Sequence, residues 1–135
     1  MDAYYDHVYR LAVVGDSGVG KTDICYRVVK QKFRTDPIPT AGIEYFPRIF
    51  YINHHPVKAQ IWDLSGKEYY QVITKSHLRR VAGCFLVFDI TSRQSFDNLN
   101  EWIKFVKQNL ETPCIFYLIG NKNDLEKQRV VERNE

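Results

Sequence analysis

One octapeptide constrains this chain more than any other stretch: Gly15-Asp16-Ser17-Gly18-Val19-Gly20-Lys21-Thr22. It follows the apolar run Val8–Val14 and precedes residues compatible with a helix. Glycine tolerates positive φ angles, so such a loop can turn backbone N–H groups inward onto phosphate oxygens. A helix starting directly behind it adds the partial positive charge of its N-terminus. In that frame Gly15, Ser17, Gly18, Val19 and Gly20 line a phosphate cradle. Lys21 reaches the terminal phosphates, and the Thr22 hydroxyl ligates Mg²⁺. An ordinary glycine-rich turn needs neither the Lys-Thr pair nor the flanking strand and helix.

The remaining pattern supplies a fold around that loop. Val8–Val14, Cys84–Ile90 and Cys114–Ile119 are short apolar runs without clean alternation, which predicts parallel strands covered on both faces. Tyr45–Ile52 and Val57–Leu64 flank Asn53-His54-His55-Pro56, predicting an antiparallel hairpin joined by a polar turn. Over Ser95–Leu110, the residues Phe96, Leu99, Ile103, Val106 and Leu110 recur at helical spacing and form one apolar stripe. Ser95 is the expected N-cap, and Pro113 lies just past the end. Strands alternating with helices imply an α/β fold with a mainly parallel sheet and right-handed crossovers. Ligands of such folds sit at the carboxyl ends of the strands, where the phosphate loop falls.

A phosphate cradle alone does not choose between ATP and GTP. Asn121-Lys122-Asn123-Asp124 closes the third parallel strand and bears on that choice. A carboxylate at Asp124 accepts two hydrogen bonds from guanine, from N1–H and the 2-amino group. Adenine offers neither donor and leaves the carboxylate unpaired; sites of that kind discriminate by roughly 10⁴–10⁵. Asn121 would tie the loops together, and the aliphatic stem of Lys122 would pack over the base. A third element, Asp63-Leu64-Ser65-Gly66, ends the second hairpin strand. There Asp63 would hold Mg²⁺ through water and the Gly66 N–H would bind the γ-phosphate.

With these residues in view, the chain resembles the small GTPases of the Ras superfamily, in particular the Rab proteins. Gln60-Ile61-Trp62-Asp63-Leu64-Ser65-Gly66-Lys67-Glu68 is similar to the Rab switch II, with Leu-Ser for the usual Thr-Ala and Lys for the usual Gln. Pro39-Thr40-Ala41-Gly42-Ile43-Glu44-Tyr45 resembles switch I, and the likeness puts Thr40 at the threonine that caps Mg²⁺ and γ-phosphate. Phe33 falls where an aromatic ring packs on guanine, and Phe88-Asp89-Ile90-Thr91 with Gln94-Ser95-Phe96 also follows the Rab pattern. The likeness runs from about Val8 to Val131. It implies a P-loop NTPase fold with one antiparallel hairpin strand, GTP/GDP and Mg²⁺ as ligands, and slow hydrolysis of GTP. It also implies exchange factors, GTPase-activating factors, and effectors that read residues 36–46 and 64–80.

Three departures from that pattern matter. Lys67 stands where a glutamine orients the attacking water. An ammonium has three donors and no acceptor, so it can offset γ-phosphate charge but cannot hold water in line. A low intrinsic rate is expected, with Lys21, Thr40, Gly66 and Lys67 as the residues at the chemistry. Second, relatives continue with a further helix, an edge strand and a closing helix, so residues 1–135 are expected to be a single, C-terminally incomplete GTPase domain. A closing helix buries apolar surface worth about 25 cal/mol per Å². Third, His77, Arg80 and Val81 replace the usual Tyr, Gly and Ala of switch II, and Tyr45 replaces Phe.

Composition narrows the partners. Lys and Arg number 19 against 16 Asp and Glu, a net charge of +3, too mild for a nucleic-acid surface. The densest basic stretch, Lys30, Lys32 and Arg34, falls at a predicted helix end, where cations favour the dipole. Cys25, Cys84 and Cys114 are odd in number and widely spaced, as buried thiols in a reducing compartment would be. Val131-Glu132-Arg133-Asn134-Glu135 carries no cysteine for prenylation, so a cytoplasmic chain is expected, with membrane association left to a partner or a longer form. The leading reading is a Rab-type GTP/GDP switch in vesicle or membrane trafficking. The alternatives are a catalytically inactive interaction module of the same fold, favoured by Lys67 and the short end, and a P-loop ATPase or nucleotide kinase, disfavoured by Asp124.

Overall fold

The computed structural model describes residues 5–30, 43–64 and 78–135. Within them the chain runs β1 (His7–Val14), α1 (Lys21–Lys30), β2 (Ile43–Ile52), β3 (His55–Leu64) and β4 (Gly83–Asp89). Then follow α2 (Arg93–Asp97), α3 (Leu99–Asn109), β5 (Ile115–Asn121) and a 3₁₀ helix (Asn123–Gln128). The strands form one sheet in the order β2-β3-β1-β4-β5. β1 pairs in parallel with β3 and β4, β4 in parallel with β5, and only β2–β3 is antiparallel. This is the mostly parallel α/β sheet with one antiparallel hairpin that the sequence implied.

The runs without alternation are explained by two cores, one on each face of the sheet. Along β1, Ala12 and Val14 belong to a cluster with Leu64, Leu86, Phe88, Leu99 and Val106, the side occupied by α3. Val13 points the other way, into a cluster with Val19, Cys25, Ile61 and Val87, with Ile24 and Val28 of α1 packed against it. A strand buried on both faces needs apolar residues at successive positions, not alternate ones.

Four expectations are corrected in detail. The hairpin turn has two residues rather than four: Ile52 pairs with His55, and Asn53 and His54 take φ of 50° and 67°. Two successive left-handed residues match the right-handed twist of the flanking strands, and asparagine accepts that conformation readily. The helix begins at Arg93 with Ser92 as N-cap, its Oγ accepting the Ser95 N–H at 3.3 Å. Ser95 is instead buried, its Oγ donating to the Ser92 carbonyl at 2.7 Å and accepting the Asp89 N–H at 3.0 Å. The expected single helix is also divided at Asn98, although its apolar stripe persists: Leu99 and Val106 are buried, with Phe96, Ile103 and Leu110 against the same core. Finally, cover on both faces fails for the start of β1 and for β5. At the sheet edge Ile115, Tyr117 and Leu118 remain more than half exposed.

Candidate functional site

The carboxyl ends of β1, β3, β4 and β5 deliver the loops that carried the motifs. β1 ends at Val14, the following Gly15 is still buried, and the loop then leads to Lys21 at the start of α1. The first turn is secured when the Gly20 carbonyl accepts the Ile24 N–H at 3.0 Å. The glycines meet real steric demands. A Cβ on Gly15 would stand 2.2 Å from the Val87 carbonyl oxygen of β4, and one on Gly20 would stand 2.2 Å from Asn121 Nδ2. Backbone therefore approaches backbone and side chain at distances no other residue allows. Val19 is buried, Ser17 and Gly18 are exposed, and the loop mouth opens to solvent there.

Beneath the loop lie the charged groups. Lys21 is 6% exposed, and its Nζ donates to the Asp16 carbonyl at 2.9 Å. Burial lowers the affinity of this amine for its proton, while the nearby Asp63, Asp16 and Cys25 act to restore it. Thr22 is also buried, and its hydroxyl donates to Oδ2 of Asp63, which has no exposed surface. The pairing arises from topology: Asp63 lies opposite Val13 in the β1–β3 register, so the end of β3 comes alongside the strand that launches the loop. Thr22 and Asp63 thus present a hydroxyl and a carboxylate together. That donor set suits Mg²⁺, which takes hard oxygen ligands with several waters retained. The residues present therefore fit this ion.

The end of β5 brings in the second motif. Asn121 lies opposite Asp89 of β4, and its Nδ2 donates 2.9 Å to the Val19 carbonyl, spanning 102 residues of chain. Lys122 sits in the left-handed region at φ 68°, and its Nζ bonds Asp89 Oδ2 at 2.8 Å. Asp89 also accepts the Thr91 N–H at 2.8 Å and the Thr91 hydroxyl at 2.6 Å. Burial alone would raise the Asp89 pKa, but the bonds from Lys122 and Thr91 prevail and hold it below the usual carboxylate range. Asp124 is exposed in the first turn of the 3₁₀ helix.

The structure therefore brings Gly15, Ser17, Gly18, Val19, Gly20, Lys21, Thr22, Asp63, Asn121, Lys122 and Asp124 to one end of the sheet. Phe33, Thr40, Gly66 and Lys67, and most of the two effector segments, lie outside the described residues. Two participants were not singled out from sequence. The sequence motif includes Asp16 without giving it a role, and Asp89 enters only as part of the family likeness. The available signal for Asp16 is an acidic residue inside a loop meant for anions, since it opposes the ligand's charge.

The Ras family model matches residues 10–135. The chain belongs to the Ras family. Among individual proteins it is similar to the tobacco Ras-related protein Rab11C, with 41% identity over 126 residues, 93% of this chain and 57% of that protein. It is 36% identical over its whole length to sugar beet Ras-related protein Rab2BV, covering 63% of it. It is likewise 36% identical over 131 residues to the fission yeast GTP-binding protein ypt3, covering 97% of this chain and 61% of that protein. The chain thus spans about three fifths of the length of the curated relatives it matches. Among the described residues, no helix is long and apolar enough to cross a membrane.

Proposed function

We propose that this Ras-family chain is a GTP/GDP-binding switch of Rab type, serving vesicle or membrane trafficking and hydrolysing GTP slowly. The observation that carries the reading is the buried trio of Lys21, Thr22 and Asp63 beneath the glycine loop. A lysine and an aspartate held out of water have chemical sense where a polyphosphate and a cation arrive. Similarity to a relative named as GTP-binding supports the same ligand.

In this reading the loop from Gly15 to Gly20 directs N–H groups at the β- and γ-phosphates, and the Lys21 ammonium binds their oxygens. Thr22 and Asp63, joined by Thr40, would hold Mg²⁺, which would supply positive charge to offset that of the phosphate oxygens. Asp124 accepts the two guanine donors, Lys122 covers the base with Phe33, and Asn121 joins this loop to Val19. Water attacks the γ-phosphorus and the bond to the β–γ bridging oxygen breaks, leaving GDP and inorganic phosphate. Catalysis is chiefly positioning and charge stabilisation, with the Gly66 N–H on the γ-phosphate. Residues 36–46 and 64–80 order around the γ-phosphate and relax after its loss; effectors read that order, and exchange and activating factors set the cycle.

Lys67 makes the intrinsic rate low, because its ammonium has no acceptor with which to hold the attacking water in line. Single-turnover hydrolysis by the chain and by Lys67→Gln tests this directly. The glutamine variant should be clearly faster, and equal rates would remove Lys67 from the explanation. For the ligand itself, a fluorescent GDP analogue is titrated in Mg²⁺ with GTP and ATP as competitors. Displacement by GTP alone is expected. Displacement by ATP as readily would refute the guanine assignment, and no binding at all would favour a nucleotide-free interaction module.

A further inference from the structure

The Asp16 side chain poses a physical problem. A carboxylate within a phosphate loop repels the anion the loop receives, at close range and partly out of water. Its neighbours show what offsets that cost. Oδ2 accepts Asn98 Nδ2 at 2.6 Å, and Oδ1 accepts the Trp102 indole N–H at 2.9 Å. These partners lie 82 and 86 residues away in sequence, at the start and in the first turn of α3. Meanwhile the main-chain carbonyl of the same aspartate accepts Lys21 Nζ at 2.9 Å. One residue thus grips α3 with its side chain and the phosphate-binding lysine with its backbone.

The helix on the far side is firmly held. Leu99 is 5% exposed and Val106 fully buried in the core, and Trp102 packs edge-on against Phe105 with ring centroids 6.0 Å apart. A loop left to itself has few contacts to fix its amides, since its glycines carry no side chains. Two neutral donors on one carboxylate make charge-assisted bonds, which are shorter and stronger than bonds between neutral groups. The two donors face different oxygens of the carboxylate, and an asparagine in this place would set its own NH2 donor against one of them.

We infer that Asp16 is a positioning residue that braces the phosphate loop against α3, so that Asn98 and Trp102 govern how long nucleotide is retained. The inference rests on the function proposed above. It adds that nucleotide retention depends on a helix outside the glycine loop and the guanine-binding loop. Loss of one bond to the carboxylate lets the Asp16 carbonyl drift, and Lys21 loses its fixed partner. A hydrogen bond to a charged group corresponds to roughly a tenfold change in an equilibrium constant, or more.

The test compares Asp16→Ala, Asn98→Ala, Trp102→Phe and the Asp16→Ala/Trp102→Phe double variant in the full chain. Release of a fluorescent GDP analogue in Mg²⁺ should be about tenfold faster in each single variant. The double variant should release no faster than Asp16→Ala alone, because Asp16→Ala already removes the bond that Trp102→Phe deletes. Hydrogen exchange at the amides of residues 16–20 should quicken in Trp102→Phe while exchange in β1 and β4 holds steady, which separates bracing from general loss of stability. Release rates that multiply in the double variant would overturn the inference, as would unchanged release and exchange in Trp102→Phe. Failure of the parent chain to bind the analogue would refute the functional reading instead, and the exchange measurement would still decide the brace.

Discussion

Replacing Gly15 by alanine should cost several times what the same change costs at Gly18, although both glycines have positive φ in one short loop. At Gly18, φ is +84° and a Cβ would meet nothing within 4 Å. Alanine there incurs only the strain of a left-handed conformation, about 1–2 kcal/mol. At Gly15, φ is +150° and the new methyl would stand 2.2 Å from the Val87 carbonyl oxygen, with Val19 Cγ2 a further 3.3 Å contact. That oxygen belongs to β4, whose parallel pairing with β1 holds it in place, with Val14 opposite Leu86. It cannot swing aside like a side chain, so two central strands must separate. Overpacking costs about 1–3 kcal/mol, and a clash this deep belongs at the upper end, about 2–3 kcal/mol; with about 1–2 kcal/mol of backbone strain the total is roughly 3–5 kcal/mol. Against a typical stability of about 5–15 kcal/mol this is a large share. Thermal unfolding without nucleotide is the assay. Gly18→Ala should lower Tm by about 3–8 °C and Gly15→Ala by more than about 10 °C. Equal Tm values for the two variants would refute the argument that close approach to β4, rather than φ alone, requires glycine at position 15.

Two further outcomes follow from the ionisable groups. The Asp89 carboxylate is held below its ordinary pKa, so its contribution is fully present above the unfolded value and is lost as pH falls through the lower folded one. Asp89→Asn should therefore be less stable than the parent chain at neutral pH, with the gap narrowing under acid denaturation below about pH 4; a gap independent of pH would show that packing and not charge is at stake. Burial pushes the Cys25 and Cys84 thiols far up and the half-buried Cys114 thiol less so. Iodoacetamide should label Cys114 first in the folded chain and the other two only on unfolding, as read by peptide mass.

The long apolar runs and the loop motif were legible because both depend on local pattern. Successive apolar residues at Ala12, Val13 and Val14 already imply two covered faces, and the glycine spacing implies a turn into a helix. Finer features were less legible. Ser95 is the expected cap, but the structure uses Ser92, because burial of Ser95 beside Asp89 satisfies a strand-end N–H instead. The hairpin's four polar residues contain two that extend the ladder and two that turn, a division set by register rather than by composition. β5 resembles β4 in sequence but lies at the edge, and no residue pattern reports a strand's place in the sheet order.

Chemistry written in contiguous residues was therefore readable before any coordinates: a cradle with Lys21 and Thr22, and an Asn-Lys-Asn-Asp segment after an apolar run. Such motifs are local because turns and helix starts are determined by neighbouring φ and ψ angles. Only the tertiary structure could bring Asp63 to Thr22, Asn121 to Val19, Asp89 to Lys122, and Asp16 to Asn98 and Trp102. Those contacts depend on strand order and helix docking, which join parts of the chain separated by tens of residues. Their individual signals are single polar residues, each as compatible with a solvated surface as with the brace or the bond it makes here.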